Sequence, residues 1–141
     1  MALEDTYKPS GGPIVPLKGL TASAKGQAGD FVIVLNPGTT GTYKQGADTA
    51  SAHYAGIATK DFDQAAGDTE VEADIGGAIV ECTHSGGSQD AAKRGNPVFI
   101  DGPNSVAASG NVYAGRIYEI VSATRVKVKT HSLDFRDLDV S

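Results

Sequence analysis

The stretch Gly29-Asp30-Phe31-Val32-Ile33-Val34 decides the fold of this chain, because it is an apolar run introduced by a Gly-Asp turn. The run from Phe31 to Leu35 predicts a β-strand that is buried on both faces. Asn36-Pro37-Gly38 then supplies the residue types of a tight turn. The same layout returns at Gly95-Asn96-Pro97-Val98-Phe99-Ile100, which is followed by Gly102-Pro103-Asn104. The chain therefore uses one strand-turn arrangement twice.

Further matches extend this internal echo. Tyr54-Ala55-Gly56 is answered by Tyr113-Ala114-Gly115, and each half then reaches an alternating strand, at 70–75 and at 125–129. A true structural repeat and a coincidence of ordinary strand-turn patterns both account for such short matches. If the repeat is real, the two Tyr-Ala-Gly motifs occupy equivalent places, where the small Ala-Gly pair permits close backbone approach.

The turn spacing and the lack of a sustained helical period predict an all-β protein. We expect a compact barrel or sandwich with short strands, dense turns and little helix. The polar stretches 39–51 and 61–68 are predicted to be loops, and residues 88–93 one helical turn capped by Ser88. The predicted strands cover residues 31–35, 54–59, 69–75, 78–83, 98–100, 112–121 and 125–130.

Composition divides the chain into three zones. Residues 1–22 are rich in Pro and Gly, which predicts an extended N-terminal arm. A disordered leader is one interpretation of this arm, and docking on a partner or a neighbouring subunit is the other. The apolar side chains that favour docking are Tyr7, Ile14, Val15 and Leu17. Residues 23–130 form the β-rich domain, with similar halves at 23–84 and 91–130 if the repeat is real, and residues 131–141 form a C-terminal tail.

Charge and composition exclude several classes of protein. The chain has 141 residues and a net charge of -5, which argues against binding to a nucleic-acid backbone. A single cysteine, Cys82, excludes an intrachain disulfide framework. No apolar stretch is long enough for a membrane-spanning helix, so we expect no membrane partner. The acidic start of the sequence lacks the apolar region of a signal peptide, which predicts a cytoplasm-like compartment.

The candidate reactive groups do not form a catalytic or metal-binding motif. Cys82 and His84 would share one strand face, but nucleophilic catalysis usually needs a third, orienting group, and none is evident. The histidines His53, His84 and His131 are dispersed, and Asp61, Asp63 and Asp68 lack the spacing of a calcium loop. Neither phosphate-binding glycine motif occurs. We therefore predict a protein that is not an enzyme, with no catalytic residues, metal or cofactor.

Two strands carry opposite charges on their polar faces. The acidic stripe is Glu70, Glu72 and Asp74, and the basic stripe is Arg125, Lys127 and Lys129. Solvated strand faces are one interpretation, and pairing of the two stripes across a subunit interface is the other. Exposed ion pairs contribute only about 0–1 kcal/mol each, so such pairing would set orientation more than affinity.

Three passages together resemble a known family. They are residues 24–32, Tyr54-Ala55-Gly56-Ile57-Ala58, and Ala66-Gly67-Asp68-Thr69-Glu70-Val71 running into Gly76-Gly77-Ala78. In this order they are similar to the capsid cement, or head decoration, proteins of tailed bacteriophages. The likeness covers roughly residues 23–82, with a weaker second pass over 91–130. The polar stretch at 39–51 and the N-terminal arm depart from the family pattern.

The resemblance implies a small β-barrel or β-tulip protein that binds the outside of an assembled phage head. It implies a homotrimer that contacts the major capsid protein, stabilises the shell against the pressure of the packaged DNA and performs no chemistry. The protein would be made in the host cytoplasm and end on the exterior of the virion. Another phage structural part, such as a head fibre base or tail component, is one alternative. A small β-barrel ligand-binding module or enzyme is the other.

Overall fold

The computed structural model describes residues 7–37 and 41–133, and within these ranges the chain is nearly all β. This confirms the predicted fold class. Two 3-10 helices, Gln64–Ala66 and Ala91–Lys93, interrupt the strands. The strands are β1 (Tyr7–Lys8), β2 (Ile14–Lys18), β3 (Lys25–Gly26), β4 (Phe31–Leu35), β5 (Thr42–Gln45), β6 (His53–Ala58), β7 (Phe62–Asp63), β8 (Glu70–Asp74), β9 (Ile79–His84), β10 (Pro97–Gly102), β11 (Ser105–Ala107), β12 (Tyr113–Ile120) and β13 (Arg125–Thr130).

All seven predicted strands are present, with ends shifted by at most about two residues. The predicted loop at 39–51 is wrong where it contains β5, a polar strand without alternation that pairs with β4. The predicted loop at 61–68 contains β7 and a 3-10 helix. The helical turn near residue 90 is confirmed, but Asp90 caps it rather than Ser88, because the Asp90 carboxylate accepts from the Ala92 N–H.

Ten of these strands build two units, which we call the first and second barrels, while β3 pairs with β7 in a separate two-stranded sheet. In the second barrel, β9, β13, β12, β10 and β11 are neighbours in that order, and a parallel pairing of β11 with β9 closes the ring. In the first barrel the order is β2, β8, β6, β4 and β5. Here a single parallel bridge between Leu20 and Tyr43 brings the two edges together.

The two barrels repeat one topology. By position in the two strand orders, β2 corresponds to β9, β8 to β13, β6 to β12, β4 to β10 and β5 to β11. The hydrogen bonds also match. Ala58 N–H donates to the Asp30 carbonyl at 2.9 Å, and Ile117 N–H donates to the Asn96 carbonyl at 2.9 Å. The internal echo in the sequence therefore corresponds to repeated structure.

The two Tyr-Ala-Gly motifs occupy equivalent positions, as the repeat predicts. Each is a β-bulge: Val32 opposes Gly56 and Ile33 opposes Tyr54, while Val98 opposes Gly115 and Phe99 opposes Tyr113. The alanine between is left out of the ladder in both cases. Gly56 and Gly115 have φ of 143° and 149°, which L side chains rarely adopt.

The predicted boundaries of the halves and of the arm need correction. The first repeat begins with β2, inside the predicted arm, and β9 belongs to the second repeat rather than to 23–84. Residues 7–18 are not a separate arm, because β1 pairs with β9 and β2 pairs with β8. Residues 7–18 therefore connect the two barrels, and we call this segment the strap. Residues 1–6 of the arm and 134–141 of the tail lie outside the described residues.

Each barrel has its own interior, and the two interiors match by position. Val32, Ala55 and Val71 in the first correspond to Val98, Ala114 and Val126 in the second. The outer face of β4 and β6 is also buried, because its side chains Phe31, Ile33 and Tyr54 pack against the core of the second barrel. Strands β4 and β6 are thus buried on both faces, one towards the interior of the first barrel and one against the second barrel.

Candidate functional site

The N-terminal segment is tied down by a buried carboxylate. Asp74, at the end of β8, is only 1 % exposed. Its oxygens accept hydrogen bonds from the Tyr7 hydroxyl at 2.6 Å, the Ser10 hydroxyl at 2.6 Å and the Ser10 backbone N–H at 3.0 Å. The Gly76 backbone N–H completes the set at 3.0 Å. Four donors thus replace the water that the carboxylate lost on burial.

These contacts shift the ionisation of both side chains. Burial alone would raise the pKa of Asp74, but the hydrogen bonds from Ser10, Tyr7 and Gly76 together lower it. Burial, with the negative charge of Asp74 beside it, raises the pKa of the Tyr7 phenol. Asp74 is therefore a buried anion that holds the strap, and its placement in an exposed acidic stripe is wrong.

The apolar residues predicted to dock on a partner divide into three groups. Tyr7 is buried inside this chain, so it is not available to a partner as it stands. Leu17 is partly buried against the interior of the first barrel, and Val15 is half-buried beside it. Ile14 remains 51 % exposed. Of the four, Ile14 is the side chain that the fold leaves open for contact.

The basic stripe has partners within the same chain. Arg125 pairs with Glu81 on β9 at 3.2 Å, and Lys127 pairs with Glu119 on β12 at 3.2 Å. The Lys129 ammonium donates to the Gly77 carbonyl. Cross-strand pairs of this kind stabilise a sheet modestly. The pairing of the stripes across subunits stays a prediction, and it would have to compete with these contacts.

The remaining acidic residues of the other stripe are also engaged. Glu72 accepts from the Thr59 hydroxyl at 2.6 Å and lies 3.7 Å from the Lys60 ammonium. Glu70 is exposed at the start of β8. The two stripes therefore lie on different barrels, β8 on the first and β13 on the second.

Cys82 and His84 lie on β9, and neither is arranged for nucleophilic chemistry. Both side chains are buried. Burial raises the pKa of the Cys82 thiol to about 12, so it stays protonated near neutral pH and is a poor nucleophile. Burial lowers the pKa of His84, whose Nδ1 accepts from the Gly86 N–H at 2.9 Å. The pair packs the barrel.

The acidic loop and the histidines do not assemble a metal site in the part of the chain that the structure describes. Asp61 accepts from the Ala28 N–H, Asp63 from the Ala65 N–H and Asp68 from the Asp63 N–H. These carboxylates stabilise turns of the first barrel. No helix within residues 7–37 and 41–133 is long and apolar enough to cross a membrane.

An exposed aromatic face on the second barrel was not foreseen from the sequence. Phe99, Tyr113 and His131 stack edge to face, with ring centroids 5.8 Å apart for both Phe99–Tyr113 and Tyr113–His131. Tyr113 is 38 % exposed. We call these three residues the aromatic face. The Tyr-Ala-Gly match marks Tyr113 in the sequence, but it does not show that Tyr113 is exposed whereas Tyr54 is buried.

The counterpart of the aromatic face is covered within the chain. Ile33 and Tyr54 hold the positions of Phe99 and Tyr113 in the first barrel. Tyr54 is only 5 % exposed, because the second barrel packs over it. No described element covers the aromatic face in the same way. A face that one repeat buries and the other leaves open is suited to intermolecular contact.

A cavity of about 150 Å³ opens at one mouth of the second barrel. We call it the mouth cavity. Its wall is mainly apolar, and polar side chains stand around it. It is lined by His84, Gln89, Lys93, Asn96, Pro97, Ala108 and Ile117.

Comparisons with known proteins return no relative: no protein-family model, no curated protein and no solved structure matches this chain.

Proposed function

We propose that this protein is a capsid decoration, or cement, protein that binds the outer surface of an assembled phage head and stabilises it. The observation that carries the proposal is the aromatic face of the second barrel. The equivalent surface of the first barrel, Ile33 and Tyr54, packs against the second barrel. The aromatic face has similar side chains and is open, so it is suited to pack against a partner. The resemblance to head decoration proteins names the partner as the major capsid protein.

The arrangement of the chain supports a purely structural role. The strap and the packing of Phe31, Ile33 and Tyr54 against the second barrel hold the two barrels together and leave the aromatic face open. Tyrosine and phenylalanine contribute large contact areas at low entropic cost and are enriched at interface hot spots. Ile14 supplies a second exposed apolar contact on the first barrel.

Mechanistically, the protein would act as a multivalent clamp. Each copy contributes a modest apolar contact to the shell, and a homotrimer raises the effective concentration of the remaining contacts once the first has formed. Adjacent capsid subunits held by one trimer then separate less readily. The work is done by binding energy alone, without a reaction or a cofactor.

The first check of the proposal is whether a major capsid protein gene neighbours the gene of this chain, and a metabolic gene neighbourhood would count against it. The second check is sedimentation with empty shells assembled from that capsid protein. We expect the wild-type protein to sediment with the shells and Tyr113→Glu to bind at least tenfold more weakly, since loss of an aromatic hot spot costs about 2 kcal/mol. Tyr118→Glu is the matched control, because Tyr118 is 46 % exposed on the same strand but outside the aromatic face. Equal binding by both variants would remove the aromatic face from the function.

A further inference from the structure

The mouth cavity of the second barrel corresponds to a place that is filled in the first barrel. Ile117, on its wall, matches Ala58, since each donates its N–H to the residue just before the first central strand. His84 matches Leu20, because each residue takes part in the parallel contact that closes its barrel. His84 pairs with Val106, and Leu20 forms the bridge with Tyr43. The two mouths are therefore equivalent.

Phe62 is the residue that fills the first mouth. It is 3 % exposed and packs in the cluster that contains Ala58, with Leu20 against the same cluster. Gly26 lies so close that an added Cβ would meet the Phe62 ring at 2.6 Å. Small residues thus make room for an aromatic ring at this mouth. The second barrel keeps the space and lacks the ring.

The chain contains a second segment in which a phenylalanine stands between acidic residues, as Phe62 does. Phe62 stands in Asp61-Phe62-Asp63, and the C-terminal segment contains Asp134-Phe135-Arg136-Asp137. In both, an aspartate precedes the phenylalanine and another acid follows within two residues. The mouth cavity offers Lys93 on its lining, and the described residues place no carboxylate within 4.0 Å of that ammonium. Lys93 therefore offers a cation to the two aspartates of this segment, and the apolar wall of the cavity suits its phenylalanine ring.

The described chain before this segment leads away from the cavity. β13 begins opposite Thr83, next to His84 at the mouth, and runs away from it for about 17 Å. At its far end Leu133 N–H donates to the Ile75 carbonyl at 2.7 Å. Phe135 follows Leu133 by two residues, which span at most about 7 Å. A phenylalanine of this segment in the cavity would therefore belong to a second copy.

We propose that the mouth cavity binds Phe135 of another copy of this chain, as the first barrel binds its own Phe62. The contact is head-to-tail, because each copy offers one cavity and one tail. Such heterologous contacts form rings when their geometry closes. This inference concerns association between copies and does not depend on binding to a capsid.

The first test uses nuclear magnetic resonance on the full-length Phe135→Ala variant, whose cavity has no competing ring. A peptide with the sequence of residues 131–141 should shift the amide signals of Gly95, Ala108 and Ile117. The same peptide with alanine in place of Phe135 should bind at least fivefold more weakly. Absence of shifts at the mouth, or equal shifts with both peptides, would overturn the proposal.

The second test uses sedimentation velocity without shells. Wild type should associate, whereas Phe135→Ala and the cavity-filling Ala108→Leu should each be monomeric. Ala92→Leu is the control, since Ala92 is exposed and does not line the cavity. A mixture of Phe135→Ala with Ala108→Leu should form heterodimers and nothing larger, because one intact cavity meets one intact tail. A monomeric wild type, an associating Phe135→Ala variant or a mixture that stays monomeric would each contradict it.

Discussion

At the residue scale, Asp74 shows how one buried charge fixes the position of a chain segment. Its four donors come from Tyr7, Ser10 and Gly76, so a single carboxylate joins the strap to the first barrel. The alternation placed Asp74 on the polar face of a strand, and two of its partners, Tyr7 and Ser10, lie more than sixty residues away. Alternation indicates which face a residue occupies, but not what covers that face.

Replacement of Asp74 by asparagine should lower the free energy of unfolding by about 2–3 kcal/mol at pH 7, because charged hydrogen bonds are lost and buried donors are left without full acceptors. Glu70→Gln, an exposed change on the same strand, should cost less than about 0.5 kcal/mol. The measurement is urea unfolding. Equal stability of the two variants would show that Asp74 does not hold the strap.

The pH dependence follows from the lowered pKa of Asp74 in the folded state. Its unfolded pKa is about 3.9, so its contribution is complete above that pH and is lost as the pH falls through the lower folded value. The stability difference between wild type and Asp74→Asn should therefore be constant from pH 7 to pH 5. It should shrink below about pH 4. A stability difference between wild type and Asp74→Asn that grows as the pH falls would contradict a lowered pKa of Asp74 in the folded state.

At the element scale, the β-bulge is the feature that both repeats share. The Tyr-Ala-Gly motif was readable from the sequence because its three residues are adjacent. The boundaries of the repeats were not, although Gly11-Gly12-Pro13-Ile14-Val15 and Gly76-Gly77-Ala78-Ile79-Val80 mark the first strand of each repeat. Proline in the earlier copy suggested an arm, yet Pro is tolerated on an edge strand, which is what β2 is. The short polar strand β5 left no periodic signal to read.

The bulge predicts a strong dependence on glycine at position 115. Alanine there would hold a φ of 149° and press its Cβ against the Lys129 carbonyl, so Gly115→Ala should destabilise the protein by about 2–3 kcal/mol. Gly102→Ala is the control, since its added Cβ would lie 3.5 Å from Ser105 in ordinary contact. Thermal unfolding compares the two. Similar melting temperatures would mean that the bulge yields to a side chain at little cost.

At the scale of the whole molecule, repetition explains the two open sites. Two barrels of one topology pack side by side, and two features that the first barrel covers within the chain are left open in the second. Tyr54 is covered and Tyr113 is not, and Phe62 fills one mouth while the other is empty. The burial of each counterpart became visible only in the folded chain, because burial depends on which barrel packs against which. The second barrel is thus the surface on which association is expected.

The proposal that this protein decorates a capsid is tested most directly by electron cryo-microscopy of shells of the major capsid protein, assembled with and without this protein. We expect added density outside the shell at threefold or quasi-threefold positions, with three copies per site and the aromatic face of each second barrel turned towards the capsid protein. Shells that look identical in the two preparations would contradict the claim. Bound copies that turn Phe99 and Tyr113 to solvent would contradict the assigned face.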